Sequence, residues 1–420
     1  MQKTIFKNGL RVITVPMKGT KTVTVLVGVG AGSRYETKKI NGISHFLEHM
    51  LFKGTKKRPN SQAISEELDA VGGEFNAATG AEQTYFYAKV GSRYQNLALD
   101  VISDIILNSI LKEEEINREK GVIIEEGNMI KDTPMQYVGE LFEKLLYGKE
   151  TVGWNILGEK ETILKMERKD FLSYINDYYV AQNIVVCVAG NINQKNTLNE
   201  VKKYFINIKE KKPKKRKKIK DFQTKPESLV QFKKTDQAHF CLGVRAYNIF
   251  HPDKYALSLL SVILGGNMSS RLFVKVREKE GLAYYIRTNI ETYTDTGYLV
   301  TQSGVDNQKI EKAIKIILNE YKDIREKGVN EKELKRAKEY IKGKMLLELE
   351  LSDEMAAFFA NQEILTNKIL TVEEKFAKID KVTVKDIQRV AKDIFVPQKL
   401  NLALIGPFKK NLCHQLLKQL

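Results

Sequence analysis

The sequence predicts an α+β protein made of two homologous domains, each a mainly antiparallel sheet packed with helices. Short segments that are rich in β-branched residues and bounded by glycine turns predict the strands. Longer segments with apolar residues at helical spacing predict the helices. The order of strands, helix, strands, helical pair, last helix and last strand occurs in each half of the 420-residue chain.

Matching residues near the end of each half support this internal repeat. Asp170-Phe171-Leu172 and the later Ala189-Gly190-Asn191 correspond to Asp386-Ile387-Gln388 and Ile405-Gly406-Pro407 at a constant separation. Such self-similarity indicates that one α+β design was duplicated.

A basic run separates the two halves. Residues 209–220 hold much of the excess behind the net charge of +17, and they contain no aromatic residue that could stack on a base. This composition favours a solvated linker over a nucleic-acid or membrane patch. We therefore expect an N-terminal domain at 1–208, a basic linker at 209–224 and a C-terminal domain at 225–420, with no nucleic-acid and no membrane partner.

The N-terminus and the cysteines predict the compartment. Residues 1–7 show no signal region, and no apolar run reaches the roughly 18 residues of a membrane-spanning helix. Cys187, Cys241 and Cys413 are far apart and form no Cys-x-x-Cys pair, which fits a reducing environment. We expect a cytoplasmic protein.

The first half opens with two predicted strands, at 10–15 and 21–29, the first preceded by an Asn8-Gly9 turn. The glycine-rich segment 30–36 carries neither a P-loop nor a dinucleotide fingerprint, so it is interpreted as a loop.

One short motif then carries the chemistry of this half. His45 and His49 lie four residues apart with Glu48 between them, in a chain that has only five histidines. Residues i and i+4 of a helix share a face, so both imidazoles can point at one metal ion and the carboxylate borders that face. Imidazole ligands beside a carboxylate that can take a proton from water are what a zinc hydrolase needs. His-x-x-Glu-His is the inverzincin signature.

The neighbouring residues predict the limits of this helix. Asn41 or Ser44 can cap its start, and Lys53-Gly54-Thr55 ends it. A second helix is predicted from residue 60 or 61 to residue 71, where Gly72-Gly73 stops it.

The rest of the half alternates between strands and helices. We predict antiparallel strands at 74–79 and 84–90, helices at 94–110, 111–131, 136–146 and 159–179, and a strand at 183–189.

Two histidines leave a zinc site short of its third protein ligand. The other imidazoles, His239, His251 and His414, lie in the second half or at its end, and each is more simply structural or exposed.

A carboxylate from the helix at 111–131 is the better candidate. Glu119 and Glu126 are two helical turns apart and share a face, whereas Glu125 points elsewhere. A merely solvated acidic face is a weaker account of Glu126, which follows the apolar Val122-Ile123-Ile124.

Taken together, these motifs resemble the pitrilysin-type zinc metallopeptidases, specifically the bacterial relatives of the mitochondrial processing peptidase. The resemblance covers essentially the whole chain. Its marks are Gly32-Ser33-Arg34 with Glu36, His45 to Met50, Phe52-Lys53-Gly54-Thr55, Asn76-Ala77, Glu119 with Glu126, Met129, Asp132 and Pro134. It implies the family fold, in which two subunits of paired α+β domains close around a chamber.

The same resemblance implies roles for the residues of the first half. His45, His49 and Glu126 would bind one zinc ion per chain. Glu48 would be the general base, and Glu119 would be a carboxylate that supports one of the ligands.

The second half lacks His-x-x-Glu-His and carries a different mark of the family, the pair Arg277 and Tyr284. A guanidinium and a phenol suit a peptide carbonyl and a developing oxyanion. In two-domain members such a pair reaches the zinc of the other subunit, so the resemblance implies an active homodimer.

The implied activity is that of a zinc-dependent endopeptidase, a processing peptidase acting on unfolded peptides or presequence-like segments inside a closed chamber. Phe75, Asn76 and Ala77 would bind the substrate as an added strand. The alternative is a non-catalytic structural or partner subunit of the same fold. Trp154, near Gly153 where family members more often have an arginine, is a departure that concerns substrate preference.

Overall fold

The structure, a computed structural model, describes residues 1–409 and Leu417. Within these residues the strands form two sheets, and helices pack on both. Neighbouring strands are antiparallel except for one parallel pair in each sheet. The α+β class with two similar, mainly antiparallel sheets, predicted from the sequence, is confirmed.

The strands of the described chain are β1 (Gln2–Ile5), β2 (Arg11–Pro16), β3 (Thr22–Val29), β4 (Glu74–Thr79), β5 (Thr84–Gly91), β6 (Ile184–Gly190), β7 (Glu227–Phe232), β8 (Gln237–Arg245), β9 (Ala283–Thr292), β10 (Gly297–Asp306) and β11 (Leu400–Gly406).

The α-helices of the first half are α1 (Ile43–Leu51), α2 (Ser61–Asp69), α3 (Gln95–Asn108), α4 (Glu113–Asp132), α5 (Pro134–Tyr147), α6 (Lys160–Lys165), α7 (Arg168–Tyr178) and α8 (Gln194–Phe205). Those of the second half are α9 (Lys254–Gly265), α10 (Ile310–Lys327), α11 (Glu331–Glu348), α12 (Ser352–Thr366), α13 (Val372–Asp380) and α14 (Val384–Ile394).

Both sheets have the same strand order once β1 is set aside. The first runs β1-β2-β6-β3-β5-β4 and the second runs β7-β11-β8-β10-β9. The parallel pair occupies the same place in each, β2 with β6 in one and β7 with β11 in the other. The internal repeat seen in the sequence therefore extends to the topology.

The chain divides into two compact units that are not contiguous in sequence. The first comprises residues 1–127, 154–217 and 346–369, and the second comprises residues 128–153, 218–345 and the described residues from 370 on. This division differs from the contiguous halves expected from the sequence in two segments. The reason is packing, because α5 lies on the sheet of the second unit and α12 lies on the sheet of the first.

In the first unit, each face of the sheet has its own apolar layer. One face packs against α1, α3 and α7, with Phe46, Leu99 and Phe171 in a large core. The other face carries Leu26 and Cys187 and is covered by α12. Alternate side chains of a strand point to opposite faces, so a strand that is apolar at every position, such as β6, requires a cover on both sides.

In the second unit, α9, α10 and α14 cover one face of the sheet and α5 covers the other. Phe142 of α5 meets Tyr298 of β10 edge-to-face, with ring centroids 5.5 Å apart. The partly buried Glu143 carboxylate accepts hydrogen bonds from Tyr298 at 2.8 Å and Tyr293 at 2.9 Å, so the helix is fixed by polar as well as apolar contacts.

Two local expectations were wrong. The helix expected at 159–179 is broken into α6 and α7, because Glu167 and Asp170 form a capping box that starts a new helix. The basic linker is irregular as expected but is not solvated throughout. Arg216, whose side chain is only 12% exposed, pairs with Glu82 at 3.0 Å.

In the part of the chain that the structure describes, no helix combines the length and the apolarity needed to cross a membrane.

Candidate metal centre

The helix α1 carries the His-x-x-Glu-His motif, and a buried carboxylate fixes its first turn. Glu36 accepts hydrogen bonds from the backbone N–H groups of Gly42 at 2.7 Å and Ser44 at 2.9 Å, and from the side chain of Asn41 at 2.9 Å. Burial raises the pKa of Glu36 to about 7, although these three donors oppose the shift.

The predicted caps of α1 are therefore wrong. Gly42 stands at the N-cap in the left-handed region, at φ +97°, and no side chain of the cap residue bonds the helix. A Cβ at Gly42 would lie 2.5 Å from the carbonyl oxygen of Leu157, so only glycine fits. The Ser44 hydroxyl is instead hydrogen-bonded to the Tyr174 hydroxyl at 2.7 Å, and the Asn41 side chain donates to Glu36.

The apolar face of α1 is buried, which leaves the motif on the opposite side. Ile43, Phe46, Leu47 and Met50 are fully buried, and Phe46 meets Phe171 edge-to-face at 4.8 Å. A helix packed along one face has little freedom to rotate. The orientation of the imidazoles is therefore set by the core beneath them.

Three potential ligands converge beside α1. One ligand atom each from His45, His49 and Glu126 lies within 4.8 Å of the other two. Oε2 of Glu126 is 3.6 Å from Nε2 of His45 and 3.7 Å from Nε2 of His49. Glu126 comes from α4, so the cluster joins two helices that are distant in sequence.

These separations fit a shared metal ion better than direct hydrogen bonds. A hydrogen bond between nitrogen and oxygen is about 2.7–3.2 Å long. Two ligand atoms on one tetrahedral zinc ion lie about 3.3 Å apart, given zinc–ligand bonds of about 2.0–2.1 Å. Two imidazoles and a carboxylate are also a common protein donor set of a catalytic zinc site.

The protonation of His45 suits a ligand. Burial, together with the electrostatic effect of the neighbouring His49 ring, lowers the pKa of His45 to about 3. The ring is thus neutral at ordinary pH, which is the form that binds a metal.

Glu119 orients His49. Oε1 of Glu119 lies 2.9 Å from Nδ1 of His49, and Oε2 lies 2.6 Å from Nζ of Lys53. Burial alone would raise the pKa of Glu119, but the bonds with His49 and Lys53 outweigh it and lower the pKa. An ionised carboxylate only accepts, so the proton of His49 stays on Nδ1 and the lone pair of Nε2 faces Glu126.

Glu48 lies on the same helix with one oxygen engaged. The Thr79 hydroxyl donates a hydrogen bond of 2.5 Å to Oε2 of Glu48. Burial raises the pKa of Glu48, and this hydrogen bond opposes the rise. Thr79 is the last residue of β4, so the strand ends at the carboxylate.

The strand β4 is an edge of the first sheet. Among the described strands only β5 pairs with it, which leaves the N–H and C=O groups of its other side available. Phe75 packs near Phe52, with centroids 6.1 Å apart, and Asn76 is exposed. Ala77 follows, with its N–H bonded to the side chain of Asn76 at 2.8 Å.

Family models match both halves of the chain. Residues 11–160, which include the whole cluster, match the model described as insulinase (peptidase family M16). Residues 165–341 match the model described as peptidase M16 inactive domain.

Curated relatives agree over nearly full length. The chain is 36% identical to the Bacillus subtilis protein named uncharacterized zinc protease YmxG, over 96% of this chain and 97% of that one. An uncharacterized zinc protease of Rickettsia felis is 35% identical, over 96% of both chains. This chain belongs to peptidase family M16.

Solved structures show the M16 fold in this chain. A protease from Helicobacter pylori superimposes with a TM-score of 0.91 at 26% identity, over 97% of this chain and 99% of that one. A peptidase M16 inactive domain from Pseudomonas fluorescens gives a TM-score of 0.87 at 18% identity, over 97% and 98% of the two chains, and shows the fold alone. The family and the fold expected from the sequence are thus confirmed, and the names of the M16 relatives suggest zinc.

The predicted residues of the second half lie in the second unit. The guanidinium of Arg277 stacks 5.1 Å from the ring centroid of Tyr284 and 4.8 Å from that of Phe273. Tyr284 is the second residue of the edge strand β9 and is 79% exposed. An exposed aromatic ring held against a cation is available to a ligand or a partner.

The remaining histidines of this M16 chain have other neighbours. His239 lies 3.0 Å from the Tyr285 hydroxyl through Nδ1, and His251 stacks on Tyr247 at 3.7 Å. His414 and Cys413 lie outside the described residues. Within residues 1–409, the only cluster of metal-ligating side chains is that of His45, His49 and Glu126.

Sequence reasoning missed three residues of the site. Lys53 could have been found, because it is a cation only four residues after His49, just beyond the end of α1. Thr79 gave no such signal, and Glu36 stood only among the marks of the family resemblance, without a role. The contact of Thr79 depends on where a strand ends. Glu36 caps a helix across a loop rather than from the cap position.

Proposed function

We propose that this M16 chain is a zinc-dependent endopeptidase that hydrolyses peptide bonds in unfolded peptides or presequence-like segments inside a closed chamber. The convergence of His45, His49 and Glu126 within 4.8 Å supports it, with Glu48 on the same helix. One zinc ion per chain would be held by these three side chains.

Zinc, when bound, polarises a carbonyl and lowers the pKa of water. The protein residues supply the remaining chemistry. Glu48 takes a proton from the attacking water and returns it to the leaving amine. Burial of Glu48 assists both steps, because a raised pKa brings a carboxylate closer to the proton affinity that transfer at neutral pH requires.

Glu119 acts through His49 rather than on the substrate. Its bond to Nδ1 keeps the ring in one tautomer and one orientation, and Lys53 fixes the carboxylate in turn. Removal of such a partner weakens a ligand without removing it.

The substrate would add to β4 as an extra strand. The unpaired side of β4 offers main-chain donors and acceptors along Phe75, Asn76 and Ala77, once the Asn76 side chain releases the Ala77 N–H, and these bond any sequence in extended conformation. A folded protein cannot offer such an edge without unfolding, so unfolded peptides are the favoured substrates.

Arg277 and Tyr284 would complete the site across a homodimer. Their stacked and exposed arrangement suits a peptide carbonyl and a developing oxyanion. Each chain carries the His-x-x-Glu-His motif once, so a homodimer would contain two active sites.

The decisive experiment compares the zinc-loaded wild type with Glu48→Gln on a quenched fluorescent peptide library. The substitution should lower the rate by about 10²–10⁴-fold, because a general base is lost, while zinc content stays unchanged. Glu66→Gln, which changes an exposed carboxylate of α2, is the matched control and should keep full activity.

A chelator should abolish the activity, and added zinc should restore it. Zinc-loaded wild type that cleaves no peptide would overturn the proposal in favour of a non-catalytic partner subunit. Full activity in Glu48→Gln would overturn the assignment of the base.

A further inference from the structure

The Thr79 hydroxyl and the Glu48 carboxylate connect the edge strand to the metal helix. Their 2.5 Å hydrogen bond joins residues 31 apart in sequence. The hydroxyl engages Oε2, so Oε1 is the oxygen left to accept a proton from water. A carboxylate with one oxygen bound loses its freedom to rotate.

The position of Thr79 is itself fixed by the sheet. Thr79 pairs with Thr84 of β5 in an antiparallel register, and the turn after it closes through the bond from Gly80 N–H to the Gln83 carbonyl at 2.8 Å. Its branched Cβ restricts its side chain to few rotamers.

Two further segments hold this turn. The backbone N–H of Arg34 donates to the Ala81 carbonyl at 2.9 Å. Glu82, which is 5% exposed, pairs with the Arg34 guanidinium at 2.7 Å and with Arg216 of the basic linker at 3.0 Å. Because a loop and the linker both bond this turn, the backbone position of the preceding residue, Thr79, is fixed.

We propose that Thr79 is a positioning residue for the general base: its hydroxyl holds one oxygen of Glu48, so that the strand which pairs with substrate also aligns the carboxylate that activates water. This inference rests on the proposed peptidase function. It assigns Thr79 no contact with the substrate or with the reacting atoms.

The kinetic test uses Thr79→Val, which removes the hydroxyl and keeps the branched shape, and Thr79→Ser, which keeps the hydroxyl. On a fluorogenic peptide, Thr79→Val should lower kcat about 10-fold or more with KM and zinc content unchanged. Thr79→Ser should recover most of kcat. Thr14→Val removes a buried hydroxyl from β2, which three other strands separate from β4, and should leave kcat unchanged.

A double-mutant cycle separates positioning from a general effect on the fold. In a Glu48→Gln background, Thr79→Val should cause no further loss, because the group that it aligns is gone. Independent, multiplicative losses would overturn the proposal, and so would a wild-type kcat in Thr79→Val. Thr79→Ala replaces Thr79→Val in the cycle if the valine variant does not fold.

A crystal structure of zinc-loaded Thr79→Val gives a readout that needs no activity. Glu48 should leave its wild-type rotamer in Thr79→Val and keep it in Thr79→Ser. An unchanged Glu48 in the valine variant would overturn the inference even if the chain is an active peptidase. A displaced Glu48 in a chain that cleaves nothing would uphold the contact and overturn only the proposed function.

Discussion

Oε1 of Glu119 lies 2.9 Å from Nδ1 of His49, although the two residues are 70 positions apart in the chain. The contact joins α4 to α1 and leaves Nε2 of His49 facing Glu126. The same carboxylate binds Lys53, so a short chain of charges extends away from the ligand cluster. The cluster therefore depends on a residue that need not touch the metal.

Glu119→Gln should raise the dissociation constant for zinc about 10–100-fold, because a neutral amide orients and polarises His49 less well. Competition with a fluorescent zinc chelator measures this dissociation constant. Glu125→Gln, on an exposed position of the same helix, is the matched control and should bind zinc like the wild type. Equal affinity in the two variants would show that Glu119 does not support the ligand.

Removal of zinc should lower the melting temperature. The ligands come from α1 and α4, so an ion bound to all three favours the folded state by about 2.7 kcal/mol when zinc is 100-fold above its Kd. Calorimetry with zinc and with chelator measures the shift. Glu126→Gln should lose most of it, and a zinc-dependent shift that survives in this variant would place the metal elsewhere.

Arg58→Met should destabilise the chain by about 3–5 kcal/mol. The arginine is 1% exposed and binds Asp104 at 2.8 Å, Asp100 at 2.7 Å and Glu67 at 2.6 Å, so its loss removes the one cation that these three carboxylates share. The control is Lys57→Met, because Lys57 also binds Asp100 but is 58% exposed. Urea unfolding should show a loss of about 1 kcal/mol or less for that variant, and similar losses in both would contradict the prediction.

Glu143 should make stability depend on pH. Burial raises the pKa of this carboxyl above its ordinary 4.5, so the folded state binds the proton more tightly than the unfolded chain does. Ionisation of Glu143 therefore lowers the free energy of unfolding. This loss grows as pH rises from 4.5 towards the raised pKa, and it is complete above that pKa.

Glu143→Gln stays neutral and keeps an oxygen for Tyr293 and Tyr298. It should melt higher than the wild type above the raised pKa, with the difference shrinking towards pH 4.5. Glu326→Gln, at an exposed position of α10, should show no such trend. A difference that grows as pH falls would reverse the sign and refute the argument.

Cross-subunit catalysis predicts complementation. Glu48→Gln and Tyr284→Phe should each be nearly inactive alone. A mixed dimer would combine the intact Glu48 of one chain with the intact Tyr284 of the other, so an equal mixture should reach about a quarter of the wild-type rate. Mass photometry should show dimers. A mixture as inactive as its components would exclude this arrangement.

The sequence predicted the features that depend on periodicity. His45 and His49 share a face because a helix repeats every 3.6 residues, and Glu119 and Glu126 share one for the same reason. The strands and most helices followed from their apolar patterns. The family resemblance added what spacing left open, namely the choice of Glu126 as the third ligand.

The features that depend on distant packing could not be predicted. An amphipathic pattern tells that a helix has an apolar face but not which sheet that face meets, so the placement of α5 and α12 was missed. Glu36 and Thr79 bond residues across loops, where no helical or strand periodicity predicts which residues will be in contact. Arg216 lies in a run of lysines, and composition does not reveal which one of these cations meets a buried carboxylate.

The position of α12 on the first sheet has a consequence for synthesis. Leu26 and Cys187 leave the ribosome long before α12, yet this helix is the layer that shields them. The nascent first sheet must therefore leave one apolar face exposed to solvent until residue 366 has been translated. Until then it is a target for chaperones, and a gene fragment that stops before α12 should yield aggregates rather than a folded first unit.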